Sequence, residues 1–213
     1  MRVELRPARA ADAPFVADVL LWAARGHLER GPWDLAFPDD RDRTRVLAHL
    51  AGGSEPGWCH HTAFQVAEAD GVVGSALCAF EPTAIGDVSL ARPMGAALQA
   101  LGWPPERIGA LASVFGPYLR CFPEMPAGTW IVENVGTRPE LRRKGLLARL
   151  LDRALEMGRE RRIATAQISC LIGNDAAQRA YEGAGFHVIE ERKDPAFEAL
   201  LGAPGFSRMT VAL

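Results

Sequence analysis

The sequence predicts an α+β fold in which a mixed central β-sheet is flanked by helices. Residues 64–80 show two strand patterns joined by a tight turn, which is typical of an antiparallel hairpin. From residue 129 onward strand and helix patterns alternate, and the right-handed crossover rule makes the first two of these strands parallel. Antiparallel and parallel pairing in one chain together indicate a mixed sheet.

Length and charge restrict the class of protein. The 213 residues, 48 % of them hydrophobic, suit one domain over residues 1–213 that folds alone. A net charge of −2 gives no overall attraction to nucleic acid or to an anionic membrane, so neither is expected as a partner. The N-terminus lacks the apolar segment of a signal peptide, and no apolar stretch is long enough to span a bilayer. We therefore expect a cytoplasmic protein, and a homodimer stays open.

The N-terminal elements follow from local patterns. Residues 3–6 are predicted to form a strand. Asp12 is predicted to cap a helix that has Pro14 in its first turn and ends before Gly26. A second helix is predicted over residues 38–50, because Pro-Asp-Asp is a common helix start.

The hairpin pattern consists of strands at residues 64–69 and 72–80. Asp70-Gly71 lies between them, and this dipeptide tolerates the positive φ angles that a two-residue hairpin turn needs. The turn therefore predicts the register of the two strands.

Residues 81–128 interrupt the strand pattern with several prolines and two helical pieces, at about 94–101 and 106–119. A structureless loop of this length would be unusual, so an inserted helical cap is predicted. Such a cap either lines a substrate site or only covers apolar surface, and the sequence leaves both interpretations open.

The second half of the chain supplies the remaining elements. They are strand 129–137, helix 145–157, strand 164–171, helix 175–184, and strands 187–192 and 207–213. No internal repeat accompanies this alternation.

Three cations, Arg142, Arg143 and Lys144, precede Gly145 at the predicted start of a helix. The helix dipole disfavours cations there by ~0.3–1 kcal/mol each, and a bound polyanion would remove the conflict. Free backbone N–H groups beside a glycine can hold phosphate. A solvated charge run is the alternative, but the strand-loop-helix context favours a phosphate site.

Two kinds of phosphate-binding site are excluded, because the chain lacks residues that each of them requires. A nucleotide-hydrolysing loop needs Ser or Thr after Gly-Lys, whereas the order here is Lys144-Gly145-Leu146. A dinucleotide fingerprint needs Gly-x-Gly-x-x-Gly after a strand, and the chain has no such set.

The remaining pattern joins the segments WIVENVGT, RPEL, RRKGLL, ATAQISCL and NDAAQRAYEGAGF in this order. In order and spacing it resembles the coenzyme A-binding core of the GNAT (GCN5-related) N-acetyltransferase family, over about residues 129–190. The family usually has Gly or Ala where this chain has Leu147. The resemblance implies a three-layer GNAT-like fold, with residues 81–128 inserted between the third and fourth strands. It also implies that strands 129–137 and 164–171 splay apart to admit a pantetheine arm.

The activity implied by the resemblance is acetyl-coenzyme A-dependent N-acetyl transfer, by direct attack of an amine on the thioester. Main-chain groups of Val135 to Thr137 would hold the pantetheine and the acetyl carbonyl. The full set of expected cofactor-binding residues is Val135, Gly136, Thr137, Arg142, Arg143, Lys144, Gly145, Leu146, Leu147, Asn174, Ala177 and Tyr181.

Strand alternation makes a prediction about the fourth strand. Ile131, Glu133, Val135 and Thr137 should face one side, and Val132, Asn134 and Gly136 the other. Gly136 would then leave open space for a ligand, or mark a bulge, and a bulge would also expose backbone donors.

Tyr181 and Glu133 are the expected catalytic residues. In the family the tyrosine that matches Tyr181 lies near the thioester sulfur and can protonate the thiolate; packing beside Phe186 is the alternative. Glu133 would deprotonate the amine, since a carboxylate in a cleft has its pKa raised by desolvation. A surface or ion-paired role for Glu133, with water as the base, stays open.

Asn174 stands at the start of the helix that carries Tyr181. If Asp175 and Gln178 cap that helix, Asn174 is free to bind the cofactor; otherwise it is an ordinary cap.

No metal site is expected. The four cysteines contain no Cys-x-x-Cys, which favours free buried thiols. Cys59-His60-His61 are adjacent in an extended segment, where neighbouring side chains point to opposite faces.

The acceptor is expected to be a small-molecule or peptide amine. Its pocket could include aromatic residues, although core packing is the commoner role. They are Trp22, Trp33, Phe37, Trp103 and Tyr118. Two rival functions are a non-catalytic acyl-coenzyme A-binding regulatory module and transfer of a larger acyl group.

Overall fold

Seven strands form one mixed sheet in the computed structural model, which describes residues 1–85 and 90–213. The strands are β1 (Val3–Pro7), β2 (Phe64–Ala69), β3 (Val72–Phe80), β4 (Trp130–Thr137), β5 (Thr165–Leu171), β6 (His187–Lys193) and β7 (Gly205–Ala212). Their order in the sheet is β1-β2-β3-β4-β5-β7-β6. Only β4 and β5 pair in parallel, and the other neighbours are antiparallel. The predicted mixed sheet and the predicted parallel pair are confirmed.

Helices cover both faces of this sheet. Those described are α1 (Ala13–Arg25), α2 (Pro32–Ala36), α3 (Asp40–Gly52), α4 (Pro82–Ile85), α5 (Ala91–Ala100), α6 (Pro105–Cys121), α7 (Leu146–Glu160), α8 (Asp175–Gly183) and α9 (Pro195–Leu201). Helices α1, α2, α3, α5 and α6 contribute to the core on one face, while α7 and α8 contribute to the core on the other.

Helix α7 illustrates how sequence spacing produces this packing. Its buried residues include Leu146, Leu150, Ala154 and Leu155, spaced as one stripe of an amphipathic helix. Burial of each leucine contributes roughly 1.5–3 kcal/mol. The stripe fixes α7 against the sheet and so positions the loop that precedes it.

The pairing of β4 with β5 is short. It runs from Trp130↔Ala166 to Val132↔Ile168, although β4 continues to Thr137 and β5 to Leu171. The two strands therefore separate beyond this point, as the resemblance implied.

The hairpin prediction is confirmed at both strands and at the turn, where Asp70 and Gly71 have φ of 48° and 86°. The predicted cap at Asp12 is wrong. Its backbone is already helical, and its carboxylate accepts from Arg6 Nη1 at 2.6 Å and from Arg9 N at 2.7 Å instead of capping α1. The Arg6 guanidinium accordingly lowers the pKa of Asp12.

Helices α5 and α6 lie where the sequence predicted helical pieces. That they are an insertion relative to the family stays a prediction. The short helices α2 and α9 were not predicted. In the described ranges, no helix is both long enough and apolar enough to cross a membrane.

Candidate active site

A cavity of about 1020 Å³ opens where β4 and β5 separate. It is bordered by Glu133 to Thr137 of β4 and Ser169 to Leu171 of β5. The loop before α7, together with α1, α5, α6 and α8, completes its walls. The volume lies at the upper end of the range of ~300–1,000 Å³ usual for small-molecule sites, so two ligands can meet in it.

A β-bulge in β4 shapes this opening. Asn134 has φ of 50°, and the pairing with β3 passes from Cys78↔Glu133 to Ala76↔Gly136 without partners for Asn134 and Val135. A bulge bends the strand and leaves backbone groups unpaired. The predicted strict alternation along β4 is therefore wrong, because the extra residue moves Gly136 to the face that α1 covers.

Gly136 does not leave open space for a ligand, as one interpretation held. A Cβ at this position would lie 3.1 Å from Val19 Cγ1 and 3.4 Å from Trp22 Cε3 of α1. The glycine allows α1 to approach the sheet closely. The other interpretation, that Gly136 marks a bulge, is wrong in position: the bulge lies at Asn134 and Val135, and Gly136 pairs with Ala76.

The loop before α7 contains two residues with a left-handed backbone, Arg143 with φ of 60° and Gly145 with φ of 77°. For a residue other than glycine this conformation costs roughly 1–2 kcal/mol. Helix α7 begins at Leu146, so the three cations lie just before its first turn. They are exposed, and within the described residues Arg143 and Lys144 have no ion-pair partner.

The structure brings nearly all the predicted site residues to this one cavity. Lys144 alone of the predicted set does not border it. Those that do are Glu133, Val135, Gly136, Thr137, Arg142, Arg143, Gly145, Leu146, Leu147, Asn174, Ala177 and Tyr181.

Glu133 borders the cavity, and its carboxyl has Ser169 and the backbone of Asn134 as polar partners. Ser169 Oγ donates a hydrogen bond to Glu133 Oε1 at 2.6 Å. Within the described ranges no Lys or Arg forms an ion pair with it. Burial raises the pKa of Glu133 to about 7, against a weaker lowering by the Ser169 hydrogen bond. The side chain thus carries a carboxyl that exchanges its proton near neutral pH.

Tyr181 lies on α8 with only 5 % of its surface exposed. It borders the cavity, and its hydroxyl forms no hydrogen bond with the described protein groups. Burial raises the pKa of Tyr181 well above the usual range for a phenol. The phenol therefore keeps its proton at neutral pH.

Asn174 itself caps α8, since its Oδ1 accepts from Ala177 N at 3.3 Å. Of the two alternatives left open, the ordinary helix cap is therefore the one observed, and Gln178 Nε2 donates to Glu182 Oε1. The Asn174 amide nitrogen remains available at the cavity.

Two residues of the site were missed by sequence reasoning. Ser169 was visible as a polar residue in the apolar strand β5, but its partner Glu133 is distant in sequence. Trp58 lies in the loop before β2 and borders the cavity. Among the aromatic residues suggested for an acceptor pocket, Trp22, Trp33 and Tyr118 border it, whereas Phe37 and Trp103 are in the core.

All four cysteines are free and buried, as predicted. The two adjacent histidines make structural contacts: His60 Nδ1 lies 2.8 Å from Thr62 Oγ1, and His61 Nδ1 lies 3.0 Å from Ala51 O. The described residues contain no group of three or more side chains suited to a metal ion.

Comparisons with known proteins agree with this geometry. The family described as Acetyltransferase (GNAT) matches residues 27–186, and no curated protein matches significantly. A crystal structure of an acetyltransferase has a TM-score of 0.69 at 15 % identity, with 98 % of each chain covered. An N-acetyltransferase from Staphylococcus aureus Mu50 has a TM-score of 0.69 at 16 % identity, with 98 % of this chain and 100 % of that chain covered. Rv2747 from Mycobacterium tuberculosis, in complex with CoA, has a TM-score of 0.52 at 14 % identity, with 99 % of each covered. These structures confirm the fold class.

Proposed function

The chain belongs to the GNAT family of acetyltransferases, which use acetyl-coenzyme A, and from this premise we propose that it acetylates a primary amine by direct attack on the thioester. The observation that carries the proposal is the joint presence, around one cavity, of Glu133, Tyr181 and the loop before α7. Glu133 can take a proton near neutral pH, Tyr181 can give one, and the loop can hold phosphate.

The residues present fit coenzyme A. Arg142 and Arg143 border the cavity and have no acidic partner among the described residues. Successive backbone N–H groups around left-handed residues, followed by a helix N-terminus, form an anion-binding concavity. We assign the pyrophosphate to Arg143, Gly145 and the first N–H groups of α7.

When bound, acetyl-coenzyme A would supply the acetyl group as a thioester. The acceptor ammonium has a pKa of ~10.4 and is almost fully charged at neutral pH. Glu133 removes a proton from it. The unpaired backbone N–H groups at the bulge are suited to stabilise negative charge on the acetyl oxygen. Tyr181 would donate its proton to the departing sulfur as the C–S bond breaks, and the second proton lost by the attacking nitrogen would restore the phenol.

Direct attack is supported by the state of the thiols. Cys59 and Cys170 border the cavity, and burial raises the pKa of both, to about 11 for Cys170. A thiol that keeps its proton at neutral pH is a poor nucleophile. We therefore propose no covalent acyl intermediate on these cysteines.

Thermal-shift measurements test the binding half of the proposal, because a ligand that binds only the folded chain raises its melting temperature. Acetyl-coenzyme A should raise it, and thiol release should then depend on an added amine. Binding without amine-dependent release under any condition would favour the non-catalytic regulatory module instead.

A further inference from the structure

One end of the cavity is lined largely by α5 and α6. On α6 the bordering residues Ile108, Leu111, Phe115 and Leu119 are three or four positions apart, which is one face of a helix. On α5, Met94 and Leu98 follow the same spacing. Both helices therefore turn an apolar face into the cavity.

Aromatic side chains continue this surface towards the sheet. Trp58 stacks on Phe122 with ring centroids 6.2 Å apart, and Phe122 stacks on Tyr118 at 5.5 Å. All three border the cavity. Trp33, in edge contact with Phe115 at 5.4 Å, lines another part of the wall.

Charge at this end has one sign. Of the described residues that border the cavity, the only cations are Arg142 and Arg143, both in the loop before α7. The carboxylates are Glu124 and Glu133. Glu124 is exposed and paired with Arg192 at 3.1 Å, which leaves Glu133 as the cavity carboxyl with no ion-pair partner among the described residues.

We propose that the acceptor is a primary amine with an apolar, preferably aromatic, carbon skeleton and no second charge. The inference rests on the proposed function and specifies its substrate class. The ammonium group lies at Glu133, and the skeleton lies against the faces of α5 and α6 and the Trp58, Tyr118 and Phe122 rings. Aromatic rings bury a large apolar area against such a skeleton.

A longer acyl chain is the competing occupant of this space. Such a chain would desolvate the Glu133 carboxylate further without supplying an opposite charge. An ammonium group supplies that charge, so the wall and the carboxylate together favour the amine.

The test uses two amines of equal heavy-atom count, hexylamine and 1,5-diaminopentane, with acetyl-coenzyme A held saturating. They differ in that a terminal methyl group is replaced by a second ammonium. We expect kcat/KM for hexylamine to exceed that for 1,5-diaminopentane by at least about 10-fold, because the second charge must be desolvated against an apolar wall. 2-Phenylethylamine should equal or exceed hexylamine.

Variants that add a carboxylate to the wall locate the effect. Ile108 and Leu119 are 40 % and 62 % exposed, so Ile108→Glu and Leu119→Glu should fold. Each should lower the ratio of kcat/KM for hexylamine to kcat/KM for 1,5-diaminopentane by about 5-fold or more, because the new carboxylate pairs with the second ammonium. Val72, 53 % exposed and outside the cavity lining, gives the matched control Val72→Glu, which should leave the ratio unchanged.

The outcomes separate the inference from the proposed function. Acetylation that favours 1,5-diaminopentane or glucosamine over hexylamine would overturn the inference and leave the transferase standing. A rate that rises from acetyl- to hexanoyl-coenzyme A, with no dependence on the amine skeleton, would assign the wall to the acyl chain and also overturn it. Loss of activity with every amine, despite cofactor binding, would overturn the proposed function itself.

Discussion

At the residue scale the site depends on the proton affinity of Glu133. The strand position of this residue was enough to suggest a base, because a carboxylate in a cleft is desolvated. The hydrogen bond from Ser169 was not predictable, since it depends on the approach of β4 and β5. The tight contact of Gly136 with Val19 was missed for the same reason: it depends on where α1 packs.

Replacing Glu133 by Gln should change the pH dependence of the reaction. Burial raises the pKa of Glu133 to about 7, and only its ionised form can accept a proton. We expect kcat/KM to rise with pH through about this value in the native chain. In Glu133→Gln this rise near pH 7 should disappear. The remaining rise in kcat/KM should come only from the acceptor ammonium losing its proton at higher pH. The pH profile of initial rates checks this, and a rise near pH 7 retained in Glu133→Gln would assign it to another group.

The same shift predicts an effect on stability without any ligand. The pKa of Glu133 is raised from 4.5 to about 7 on folding, so the folded chain binds this proton more tightly than the unfolded chain. Its contribution to the free energy of unfolding is therefore lost as pH rises from 4.5 to 7, by an amount on the order of 3 kcal/mol. Glu133→Gln should show a smaller loss. Urea unfolding of the native chain and of Glu133→Gln at several pH values across this range measures both losses. The same pH dependence of the free energy of unfolding in the two chains would contradict the raised pKa of Glu133.

Tyr181→Phe should leave folding and cofactor affinity nearly unchanged, because the ring packing is kept and the hydroxyl has no partner among the described protein groups. If the phenol acts as the acid, the transfer step should slow by roughly 100-fold. Single-turnover kinetics with saturating acetyl-coenzyme A measure this step without interference from product release. An unchanged rate would leave Tyr181 as a packing residue.

At the element scale, the loop before α7 was predictable from its cations and from its place between strand and helix. The left-handed backbone of this loop was only partly predictable. Glycine often adopts that conformation, as Gly145 does, whereas an arginine such as Arg143 rarely does. The bulge at Asn134 had a weak signal, since asparagine tolerates this conformation better than most residues. Helices α2 and α9 are too short to show an amphipathic period.

Replacing both Arg142 and Arg143 by Ala should weaken coenzyme A binding while leaving pantetheine binding nearly unchanged, because only the former carries phosphates. Calorimetric titration of both ligands measures the difference. The double variant of Arg41 and Arg45 to Ala is a control with the same charge change, since both are exposed on α3 and outside the cavity lining. Equal losses for the two ligands would contradict phosphate contact.

At the scale of the whole molecule, the cavity joins distant parts of the chain. The parallel pair β4-β5 followed from the crossover rule, but the place of β7 between β5 and β6 had no local signal. Helices α5 and α6 were predicted as helices from residues 81–128. Their apolar faces could be assigned to the cavity only once the fold was known, because the same stripe would equally suit a core.

Direct transfer within this cavity is the central claim, and a single-turnover experiment with labelled acetyl-coenzyme A tests it most directly. With the chain in excess over the cofactor, the reaction with hexylamine or 2-phenylethylamine is quenched in acid at successive times. We expect the label to pass from the cofactor to the amine, with none on the protein at any time. Label that accumulates on the protein and then passes to the amine would contradict direct attack, and label that stays on bound cofactor with every amine tried would contradict the transferase.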